Sequence, residues 1–160
     1  MQYISVEHQR AISPRYKTAL MVVFVFCVSV ILFAVVGRFA DPEAAPGSER
    51  LIKIFPVVVI VLAFGVIVLR RVWMSVLVMA GAARTGVNAV LNRLVQMSVV
   101  CAALSEIVAI LGFVFYMLTG NYRYLLILCL VSLMLLFYTA FPRRGEWDRA
   151  VAAAANTQTK

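Results

Sequence analysis

Four apolar runs divide this chain, at about residues 18–37, 51–69, 94–118 and 122–141. At about 1.5 Å of rise per helical residue, each approaches or exceeds the roughly 30 Å of a bilayer's hydrocarbon core. A segment in that environment must satisfy its own backbone hydrogen bonds, so a run of this length with no strand-like alternation is a helix. The remainder of the 160 residues is too short for a substantial soluble domain, and 64% of the residues are hydrophobic. A soluble domain has about 45–50%. The expectation is an all-α polytopic membrane protein with four transmembrane helices, a single membrane domain over residues 1–160.

Local signals mark the ends of the runs. Ser13-Pro14 reads as an N-cap and a proline at the first helical position. A cleaved signal peptide is the competing reading of the first run. Its long apolar core and the long segment before it favour an uncleaved span. Pro46-Gly47-Ser48 turns the chain in the connection 38–50 and offers Ser48 as a cap. In the second run, Lys53 is near enough to one end to snorkel, and Arg70-Arg71 closes the other. Thr119-Gly120-Asn121 is a tight turn, and Pro142 stops the fourth run. Tyr116, Tyr122 and Tyr124 gather at one interface as an aromatic belt. The tail from 142 to 160 is expected to form a short surface helix around Trp147 and then fray. Residues 72–93 read two ways, as an interfacial helix or as an extension of the second helix.

The formal charge of +8 raises nucleic acid as a partner, but the cations punctuate the ends of the apolar runs and form no soluble basic face. Eleven of the 15 basic residues lie in segments 1–17, 70–93 and 142–160. The excess of Lys and Arg in cytoplasmic loops places those segments, and both termini, in the cytoplasm. The chain then reads as a multi-pass protein of a bacterial inner membrane, with the lipid bilayer and further membrane subunits or copies of itself as partners.

Cys27, Cys101 and Cys129 all fall within apolar runs, where a thiol is a small packing group. With His8 as the single histidine, neither a metal nor a cofactor is indicated. The acids outside the membrane are scattered over loops and tails, with no nucleophile–base constellation among them. The sequence therefore argues against an enzyme.

One residue breaks the pattern. Glu106 lies in the middle of the run Leu94–Leu118, too deep to reach either interface. A charged residue at that depth costs about 2.5–3.5 kcal/mol, and intramembrane acids are candidate functional groups for that reason. The aliphatic and phenylalanine side chains around it return about 0.3–0.6 kcal/mol each, so the segment still inserts. No Lys or Arg shares its depth on the four runs, and desolvation penalises the charged form of such a carboxyl. Ser29, Ser105 and Ser132 are the candidate hydrogen-bond partners. Beside it Ser98, Ala102, Ser105, Ala109 and Gly112 make a stripe of small residues, the pattern that lets membrane helices approach closely.

Arg93 to Leu118 resembles the carboxyl-bearing helix of the proteolipid subunit c of rotary ATP synthases, through Ala103-Leu104-Ser105-Glu106 followed by Ala109 and Gly112. The resemblance implies a proton-carrying role for Glu106 and a polar cytoplasmic loop at Asn92-Arg93. It covers this helix alone: the preceding run has Gly65 where subunit c has a glycine repeat, and four runs replace the usual two. Two functions follow as expectations. One is an oligomeric or accessory subunit packed through the stripe. The other is a proton-coupled transporter or translocating subunit with Glu106 as the proton carrier.

Overall fold

A computed structural model describes residues 6–40, 42, 49–75, 84 and 86–158. The described residues are helical with short connections, in the order α1 (Val6–Phe39), α2 (Glu49–Trp73), α3 (Val87–Thr119) and α4 (Tyr122–Leu135). A π-helical turn (Leu136–Ala140) and a final helix, α5 (Arg144–Gln158), complete it. Four helical stretches are long and apolar enough to cross a membrane. The fourth is α4 with its continuation.

α3 is the central helix and touches every other element. Of its apolar window 44% is buried, against 11% for α2. α1 and α4 flank it, and α2 lies along a further side through Phe55 stacked on Phe115 at 4.1 Å, with Val59 packed near Val108. Outward, α1 and α2 present Phe24, Ile31, Leu32, Ile60, Val61 and Phe64. An apolar exterior of that extent suits lipid rather than water.

Contacts at the two ends fix the alternation of direction. At one end Arg15 donates to the Asn88 side chain at 3.0 Å, and the Tyr16 hydroxyl donates to the Pro142 carbonyl at 3.1 Å. At the other, Tyr116 and Tyr122 donate to the carbonyls of Ala40 and Ala34. α1 and α3 therefore run one way and α2 and α4 the other, and the start of α1 lies at the same end as α5.

Several helix ends differ from the sequence expectation. Pro14 lies inside α1, which already begins at Val6, so Ser13-Pro14 does not open the helix. The proline removes the bond to the Arg10 carbonyl, which lies ahead of the apolar run, where water can replace it. α3 starts at Val87, so residues 87–93 belong to the third helix and neither extend the second nor form a separate surface helix. Residues 76–83 and 85, like the Ser48 cap, lie outside the described residues.

The turn after α3 does form. Gly120 caps it at φ 68°, ψ 2°, donating to the Tyr116 carbonyl at 2.8 Å, and the Asn121 side chain accepts from the Arg123 N–H at 3.2 Å. A left-handed residue at this position is readily supplied by glycine.

The tail is also more helical than expected. α5 runs to Gln158, and Trp147 is only 1% exposed, edge-on to Tyr16 with ring centroids 5.6 Å apart. Burial against α3 and α1 supplies what an Ala-rich helix of this length lacks alone. The tyrosines depart from a simple belt as well. Tyr116 is buried, and with Tyr122 it pins the end of α1.

Candidate functional site: a carboxyl between two helices

The faces of α3 have different tasks. Ser98, Ala102, Ser105, Ala109 and Gly112 are all buried. This stripe meets α4: a Cβ built on Gly112 would lie 2.7 Å from the Leu128 Cβ, closer than real side chains approach. Alongside, the Ser132 hydroxyl donates to the Ser105 carbonyl at 2.7 Å, and the Ser105 hydroxyl donates to the Cys101 carbonyl at 2.8 Å. The small residues thus lie in an internal seam, and another chain reaches the stripe only by displacing a neighbouring helix of the bundle. Ser98 is buried at one end of the stripe with its hydroxyl unpartnered. Ile107, Ile110 and Val114 face outward.

Glu106 lies one position on from Ser105, which turns it by roughly 100° toward α1. There the Ser29 hydroxyl donates to Glu106 Oε1. Of the three hydroxyls named from the sequence, the structure brings Ser29 to the carboxyl, while Ser105 and Ser132 bond to backbone carbonyls of α3. The carboxyl is half-buried, and no ion pair reaches it among the described residues. A side-chain hydrogen bond inside a membrane contributes about 0.6 kcal/mol, at most about 1.7. That is below the cost of inserting the acid, so the apolar remainder of α3 keeps the helix in place and the bond chooses which neighbour the carboxyl meets.

A second polar cluster had no sequence signal beyond two arginines at the end of a run. Tyr138 lies in the last turn before the helix breaks at Phe141, where carbonyls lack an intrahelical partner. Arg70, on α2, fills that place by donating to the Tyr138 carbonyl. Its guanidinium also pairs with Glu146 on α5 at 3.0 Å, with both side chains largely buried. Instead of snorkelling freely, Arg70 ties α2, the π turn and α5 together. Reading this from sequence requires knowing that α2 ends beside residue 138.

Among the described residues no group of three or more His, Cys, Asp or Glu side chains could hold a metal ion. Comparison with family models, characterised proteins and solved structures returns no match. What the fold defines is a class: all-helical among the described residues, with four helical stretches long and apolar enough to span a membrane.

Proposed function

We propose that this chain is a small non-enzymatic component of the bacterial inner membrane, an accessory subunit of an oligomer or larger membrane assembly, in which Glu106 ties two spanning helices. The observation that carries this reading is the hydrogen bond from Ser29 to Glu106 across α1 and α3. It gives the carboxyl a packing role without any further group. Partners then dock on the outer faces of α1 and α2, because the small-residue stripe is buried inside the bundle. Both termini face the cytoplasm, since Arg15, Lys17, Arg70, Arg71, Arg143 and Arg144 all belong to the end where α1 begins.

A second reading rests on a different feature of the same residue. Glu106 is half-buried with one hydroxyl partner, whereas the neighbouring stripe residues are buried completely. A carboxyl so placed can exchange a proton with a partner subunit, which is the proteolipid-like, proton-translocating alternative.

Carbodiimide labelling in native membranes over a pH series, read by mass spectrometry at Glu106, separates the two. The packing role predicts no labelling at any pH. Labelling that fades as pH rises would replace it with proton handling.

A further inference from the structure

We propose that the cleft between α1 and α5 binds the headgroup and one acyl chain of an anionic phospholipid. The cleft encloses about 500 Å³ and is lined along α1 by Ser13, Tyr16, Lys17, Leu20, Met21 and Phe24, with Arg144 of α5 opposite. Those α1 positions recur every three or four residues, so they form one continuous face of the helix. From Ser13 to Phe24 that face extends about 16 Å at about 1.5 Å per residue.

Its chemistry changes along that length in the order a lipid requires. At the end of the bundle stand Ser13, Lys17 and Arg144, a hydroxyl and two exposed cations. Neither cation has an ion-pair partner among the described residues. Deeper, the lining is wholly apolar, and Met21 and Phe24 are 70% and 65% exposed. The wall is already in place: Tyr16 is held by its bond to the Pro142 carbonyl, with Trp147 packed against its ring. α5 begins at Arg144, so the positive end of its helix dipole faces the same polar mouth.

Charge complementarity selects the occupant. Two unpaired cations above an apolar channel match a phosphate headgroup above its acyl chain, as basic pockets between spanning helices do elsewhere. A zwitterionic lipid brings its own cation to the same place and loses that advantage. A soluble phosphate leaves the apolar part unfilled. This assignment does not depend on any role for Glu106.

The test is native mass spectrometry of the full chain released from detergent micelles containing equal amounts of phosphatidylglycerol and phosphatidylcholine. The expected result is one retained phosphatidylglycerol, unaffected by millimolar inorganic phosphate. Each cation near a membrane surface is worth about fivefold in anionic-lipid affinity, so Lys17→Ala with Arg144→Ala lowers retention about 30-fold. Lys53→Ala with Arg123→Ala removes the same charge elsewhere and leaves retention unchanged. Circular dichroism establishes that both double variants are folded. Equal retention of the two lipids, undiminished retention in the Lys17/Arg144 variant, or displacement by phosphate alone would overturn the assignment. If that double variant does not fold, Lys17→Gln alone provides the reading, with about fivefold loss expected and no loss refuting.

Discussion

The bond between Ser29 and Glu106 joins side chains 77 positions apart at the middle of the bundle. Its worth is measurable as a coupling, because both residues have substitutes that remove it without adding bulk. Glu106→Gln keeps an acceptor oxygen in place, so thermal unfolding in detergent should change little. Ser29→Ala leaves that oxygen without its donor and should lower stability by about 0.6–1.7 kcal/mol. The same Ser29→Ala change in a Glu106→Leu background should have no comparable cost. Equal losses in the two backgrounds would show that the bond contributes nothing and that the serine acts through packing alone.

At the scale of elements, the C-terminal helix is held by a polar clamp as well as by Trp147. Arg70→Met preserves the apolar stem and removes the guanidinium, leaving the Tyr138 carbonyl and Glu146 without it. An unsatisfied buried group costs about 1–3 kcal/mol. Hydrogen exchange in residues 144–158 should therefore accelerate markedly, while residues 98–112 of α3 keep their protection. Arg143→Ala should do little: its distance to Glu146 is 3.7 Å and its side chain is 52% exposed, and exposed pairs contribute at most about 1 kcal/mol. Unchanged exchange in Arg70→Met would mean that apolar packing alone secures α5.

The sequence reveals such elements unequally. The four helices long enough to span a membrane are legible because length of apolar run is a local property. Helix ends such as Val6 and Val87 are not, since polar residues at a membrane surface continue a helix or leave it at similar cost. Glu106 stands out because a charge within an apolar run needs no neighbour to be noticed. Its partner depends on how α1 and α3 are rotated about their axes, which no single run encodes. The clamp at Arg70 is less legible still, as it requires three separate segments to meet.

At the scale of the whole molecule, the alternation of helix directions places the start of α1 and the whole of α5 at one end of the bundle. On the proposed orientation, charge asymmetry makes that end cytoplasmic. In a background with the three native cysteines changed to alanine, Ser13→Cys and Arg149→Cys should react with an impermeant maleimide only in inside-out vesicles. Arg123→Cys should react only in right-side-out ones. The inverse pattern would reverse the orientation while preserving the fold, and labelling of positions 13 and 149 from opposite sides would refute the bundle itself.

Synthesis proceeds from the N-terminus, so α1 is made before α3 leaves the ribosome. The Ser29 hydroxyl is then already available when Glu106 arrives. The costliest residue to insert belongs to α3, and its partner to α1. Interchanging the two helices would send the acid into the membrane with no donor waiting for it. The order of the helices along the chain is thus also a schedule, in which the receptor for the carboxyl is built before the carboxyl.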